Sequence, residues 1–199
     1  MAEWECIGLC IPRPLPGDDN EAYWNLVNAI AGAAGLDGEY GSSLHSVNLT
    51  GVREILLAAV HQDPSRLRNA PGAMKDDREV VITACNQDGM ALEYASVALQ
   101  DDREVVMAAC TQKGWALQYA SNAMMADREV AMLALNQDGM ALDFVPTALR
   151  DDRELVVAAC NQCGQALLSA SAALKDDREV VLAACNQNGT ALCCASDAN

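Results

Sequence analysis

From residue 76 onward, polar and apolar positions recur every 25 residues without slip. Asp76 to Cys85 reads DDREVVITAC, Asp101 to Cys110 DDREVVMAAC, Ala126 to Leu135 ADREVAMLAL, Asp151 to Cys160 DDRELVVAAC and Asp176 to Cys185 DDREVVLAAC. A fixed period of this length marks a repeat array. Each copy opens on polar residues and runs into a block apolar around most of its circumference. That is the pattern of a helix buried on several sides. Asp76 and Glu79 have capping-box spacing. Ala126 breaks that box in one copy while Asp127 remains. The second aspartate, at Asp77, Asp102, Asp127, Asp152 and Asp177, is therefore the expected structural cap. Gly89, Gly114, Gly139, Gly164 and Gly189 are expected to stop the helix in the left-handed conformation.

The second half of each unit is shorter. Ala91, Leu92, Ala95, Ala98 and Leu99 carry its apolar face, and Ser96, Ser121, Ser171 and Ser196 share a column with Pro71 and Pro146. Proline removes an N–H and biases the residue before it away from the helical region. A second helix of about two turns, broken or restarted at this column, follows. Ala59, Ala84, Ala109, Ala134, Ala159 and Ala184 occupy one position, which calls for close helix approach. The expected fold is an all-α, right-handed helical-repeat solenoid, with 25-residue units of one longer and one short helix that stack because neither buries its face alone. Six layers would span around 55 Å.

The units fall at 51–75, 76–100, 101–125, 126–150, 151–175 and 176–199, the first diverged, with Pro64 in place of the glycine. Residues 1–50 form an N-terminal extension. Asp18 to Ala34 predicts an amphipathic helix that caps the solenoid or docks a partner, and 39–50 reads as a degenerate half-repeat.

Composition narrows the function classes. The 199 residues carry a formal net charge of −15, and no basic stripe offers a groove for nucleic acid. No apolar run reaches membrane-spanning length. The N-terminus lacks the pattern of a secretory signal, and nine cysteines then point to an intracellular, reducing compartment, the cytoplasm first. Cys85, Cys110, Cys160 and Cys185 form one buried-looking column, too widely spaced for disulfides. Cys160 and Cys163 make a C-x-x-C and Cys6 and Cys10 a C-x-x-x-C, without a second pair or two histidines at zinc-finger spacing. Cys193 and Cys194 read as terminal packing. His45 and His61 stand apart from any nucleophile motif, and Asn-Gln-Asp-Gly at 86–89 and 136–139 lacks the carboxylates of a calcium loop. No metal, cofactor or catalytic residue is expected. Arg78 is placed to reach acidic groups of the next unit, and the column Gln62 to Gln187 to bridge adjacent turns.

The units around DDREVVLAACNQNGTALCCAS resemble the repeats of the domain-of-unknown-function family numbered 4116, short helical repeats met in algae, protists and large viruses. The likeness spans about residues 51–199 and holds across several columns in five copies. It implies a helical repeat module with no established chemistry and brings no catalytic residues with it.

One pair of columns is local. After the glycine come Met90, Trp115 and Met140, then Gln165 and Thr190; four residues later come Tyr94, Tyr119 and Phe144, then Ser169 and Cys194. Read at helical spacing, positions i and i+4 share a face. Met90, Tyr94, Trp115, Tyr119, Met140 and Phe144 then make a stripe confined to three units, either core cover or a partner-binding patch. The expected function is a non-enzymatic protein-interaction scaffold or structural subunit, for a protein partner with a basic rim. A small-ligand or pigment carrier using the stripe, and a cysteine-dependent metal protein, are the alternatives.

Overall fold

The computed structural model describes residues 49–195. The expected helix at 18–34, nearly all of the half-repeat at 39–50, His45, Cys6, Cys10 and residues 196–199 lie outside the described residues. All regular structure among the described residues is helical. Six long helices follow in order: α1 Leu49–Gln62, α2 Arg78–Gln87, α3 Arg103–Gln112, α4 Arg128–Gln137, α5 Arg153–Gln162 and α6 Arg178–Gln187. Each packs on the next, and each from α2 onward also meets a short segment of the unit before it.

That short segment is divided. The stretches Gly89–Tyr94, Gly114–Tyr119, Gly139–Phe144, Gly164–Ser169 and Gly189–Cys194 are 3-10 helices. With three residues per turn, residues three apart eclipse, so Gly89, Leu92 and Ala95 stack on one side, and all three are buried. The chain then extends at Ala95 and Ser96 and makes one α-turn, at Val97–Gln100, Asn122–Met125 or Ala172–Lys175. Where Pro146 replaces the serine, the turn is a 3-10 turn at Leu149–Asp151.

The glycines do not take the expected left-handed conformation. Helix α2 ends at Asp88 in an extended conformation, φ −140° and ψ 110°, and no glycine of the column among the described residues has a positive φ of that kind. The position is glycine because the next unit lies on it. A Cβ on Gly89 would stand 2.3 Å from the Ala109 carbonyl oxygen, and on Gly114, Gly139 and Gly164 it would stand 2.4, 2.2 and 2.5 Å from those of Ala134, Ala159 and Ala184. Atoms that close cannot coexist with a backbone carbonyl. The glycine and alanine columns are thus the two sides of one joint.

The two aspartates that open each unit have different tasks. Oδ1 of Asp77 accepts from the N–H groups of Glu79 and Val80 at 3.1 and 3.2 Å, satisfying donors that the first helical turn leaves open. Asp102, Asp127, Asp152 and Asp177 do the same for α3 to α6. The first aspartate instead accepts from a serine hydroxyl: Ser96 donates to Asp76, Ser121 to Asp101 and Ser171 to Asp151. The same serines donate their N–H to the carbonyls of Lys75, Gln100 and Arg150 at 2.9, 2.9 and 3.0 Å. This clasp joins the single turns of successive units. Ala126 and Pro146, two departures from the pattern in one unit, are its two halves: the first lacks the acceptor and the second lacks both donors.

Candidate functional site

The 3-10 geometry separates the two columns of the aromatic stripe. At three residues per turn, positions i and i+4 point about 120° apart, so Met90 does not share a face with Tyr94. Tyr94, Tyr119 and Phe144 are half-buried against the core. Trp115 is 41% exposed and stands with Met90 on an open cleft completed by Gln112, Lys113, Gln137 and Asp138. Across the joint, the Trp115 ring meets Phe144 edge to face, centroids 5.3 Å apart. Aromatic pairs favour this arrangement. The structure therefore brings the two columns together diagonally, between successive units, rather than along one helix. Lys113 Nζ lies 3.1 Å from Asp88, and Asp88 also accepts from the Met90 N–H at 3.0 Å. Burial raises the Asp88 carboxyl, but these donors hold it below its ordinary range. The Asn-Gln-Asp-Gly aspartate thus serves the turn.

A second ordered feature runs along the joints. Arg78 Nε donates to Asp102 at 3.0 Å and a terminal nitrogen of the same guanidinium meets Glu104. Arg53, Arg103, Arg128 and Arg153 hold their own aspartate–glutamate pairs 24 and 26 residues on. The Arg78 guanidinium keeps the Asp102 carboxyl below the usual carboxylate range, against its partial burial. Such exposed pairs are each worth only about 0.2–1 kcal/mol. Their consistency fixes register, because a single carboxylate both caps its own helix and receives the preceding unit. Three glutamines of the column bridge adjacent turns: Gln87 Nε2 donates to the Val60 carbonyl at 3.2 Å, Gln137 Nε2 to that of Thr111 at 2.9 Å, and Gln187 Oε1 accepts from the Gly164 N–H at 2.8 Å.

These columns are those of a known repeat. The family model described as a domain of unknown function (DUF4116) matches residues 53–100, 77–125, 102–150, 127–175 and 152–198. The chain belongs to this family. Each match spans two units, and the four windows from residue 77 onward each contain one complete joint, arginine to aspartate and glutamate and glycine to alanine carbonyl; the first, with Pro64 in the glycine column, holds the arginine part. No curated protein and no solved structure matches the chain.

Within this DUF4116 array the cysteines behave as small apolar residues. Cys85, Cys110 and Cys160 are fully buried, whereas Cys185 is half-buried. Burial pushes the thiols of Cys85 and Cys110 up to about 12 and that of Cys160 to about 11. The thiolate is the reactive species. In native protein at pH 8, a thiol reagent is expected to modify exposed Cys193 and to leave Cys85, Cys110 and Cys160 unmodified until denaturant is added, as read by peptide mapping. Early modification of the three would show that the joints open freely. Among the described residues no group of three histidine, cysteine or acidic side chains is placed to hold a metal, and no helix is long and apolar enough to cross a membrane.

Proposed function

We infer that the chain is a protein-interaction scaffold, or a structural subunit of a larger assembly, without catalytic activity of its own. The observation that carries this is Trp115: a large apolar side chain 41% exposed on a cleft, in a column that becomes Gln165 and Thr190 in later units. Core columns such as Leu92, Leu117, Leu142 and Leu167 persist from unit to unit; a binding patch is local. Interface cores favour tryptophan and methionine, and solenoids present long surfaces for partners. Met90, Trp115 and Met140 are the anchor candidates, with Tyr94, Tyr119 and Phe144 supporting them from the core side. A net charge of −15 selects a protein partner with a basic rim and makes association sensitive to salt. The place of action is a reducing intracellular compartment, the cytoplasm first.

The test compares Trp115→Ala with Gln165→Ala in thermal melts and in affinity capture from native cells. Trp115→Ala is expected to weaken capture by about 2 kcal/mol, roughly 30-fold, with little change in melting, while Gln165→Ala changes neither. A Trp115→Ala protein that melts several degrees lower and captures the same proteins would assign this residue to the core alone.

A further inference from the structure

Every joint between units has two sides. The leading side supplies an arginine, a glycine (Pro64 in the first unit) and apolar residues of the long helix and 3-10 segment. The receiving side supplies Asp-x-Glu at the start of a helix and the apolar face behind it. At the 176–199 unit the leading side is built and stands uncovered among the described residues. Arg178 is exposed and makes no ion pair there, whereas Arg53, Arg78, Arg103, Arg128 and Arg153 each hold two carboxylates. A Cβ on Gly189 would meet nothing within 4 Å. Leu182 and Leu192 are 49% and 57% exposed, although Leu67, Leu92, Leu117, Leu142 and Leu167, in the Leu192 column, are fully buried.

The sequence holds one more receiving side, outside the 25-residue phase. Asp18-Asp19-Asn20-Glu21 repeats the Asp-Asp-x-Glu opening, and Ala22, Tyr23, Leu26 and Val27 stand at the offsets of the buried Val80, Val81, Ala84 and Cys85. We propose that the leading side at Arg178, Leu182, Gly189 and Leu192 binds the 18–27 segment of a second copy of this chain, so that copies join head to tail through the same joint that links units within one copy. Charge decides the pairing: among the described residues Arg178 is exposed without an acid beside it, and in the sequence Asp19 and Glu21 stand at the offsets of Asp102 and Glu104. Length favours a second copy over the same chain. Five joints separate α1 from α6, about 45–50 Å at ordinary helix spacing. To seat on its own chain, the segment would need the 21 residues from 28 to 48 to run about two-thirds extended across that span. A contact between two different faces does not close on itself at a dimer; it continues into a ring or a filament.

Sedimentation velocity of the full chain at low salt, over a roughly hundredfold range of concentration, tests this. The wild type is expected to grow beyond a dimer as concentration rises and to revert to monomer in high salt. Arg178→Glu should weaken self-association about tenfold or more, and Gly189→Leu should do so by filling the joint, both with unchanged melting, since neither site is covered. Asp19→Arg/Glu21→Arg should also weaken it, and mixing that variant with Arg178→Glu should restore assembly through the exchanged charges. Trp115→Ala should assemble as the wild type does. A wild type monomeric at every concentration, or an Arg178→Glu variant that assembles normally, overturns the proposal. Loss of assembly with Arg178→Glu and Gly189→Leu but not with Asp19→Arg/Glu21→Arg overturns the 18–27 segment as the occupant.

Discussion

Gly114→Ala is expected to destabilise the array by about 3 kcal/mol or more, while the same change at Gly189 leaves stability unchanged or raises it by about 0.5 kcal/mol. The two glycines occupy one column and differ in what lies above them. At Gly114 the new carbon would stand 2.4 Å from the Ala134 carbonyl oxygen and 3.0 Å from the Asp138 nitrogen. Both are backbone atoms, so relief requires α4 to lift away from the unit before it. At Gly189 the carbon enters open space, and only the reduced freedom of the unfolded chain remains. For a protein of this size each kcal/mol moves the midpoint about 2–4 °C, so Gly114→Ala should melt roughly 6–12 °C lower. Equal effects at the two sites would return the glycine column to a role in backbone conformation.

Leu117→Ala should cost about 2–5 kcal/mol, through lost burial and the cavity left behind. Leu117 is fully buried and on the 3-10 face that meets both its own long helix and the next. Leu192 is the same residue type in the same column but is 57% exposed, so Leu192→Ala should cost roughly 1 kcal/mol at most. Chemical denaturation of both variants measures the difference. In an array held by nearest-neighbour contacts, the Leu117 change should also divide unfolding into two transitions, with the units before and after the defect melting separately. A single transition shifted equally by both substitutions would contradict this account of the core.

The architecture was legible because its signals are local and repeated. Asp102 lies two and three residues from the N–H groups it caps, and the Val105, Val106, Ala109 and Cys110 spacing announces a buried helical face directly. What the sequence hid lies between units. A glycine that ends a helix and a glycine that admits a neighbour look alike, and only the position of the Ala109 carbonyl separates them. The 3-10 form of Met90 to Tyr94 was likewise hidden, because Gly-x-Ala-Leu suits either helix type; the i, i+4 pairing drawn from the α period therefore joined two columns that face differently. Ala126 and Pro146 were visible as separate irregularities. Their connection is a contact across 20 residues, the spacing of the Ser96–Asp76 bond, which no periodicity of a single helix reveals. The Trp115–Phe144 contact is diagonal for the same reason: it crosses a joint.

Arg78 looks forward 24 and 26 residues, Ser96 looks back 20, and Gln87 looks back 27. Every such link is shorter than two periods, and the arginine links are carried in the same form from Arg53 to Arg153. Excising residues 101–125 as a block would therefore set Arg78 opposite Asp127 and Glu129, and Gly89 beneath Ala134. Length in this chain is accordingly a variable the gene can change in whole 75-nucleotide steps, by duplication or loss, without designing a new contact. A single-residue insertion has no such licence.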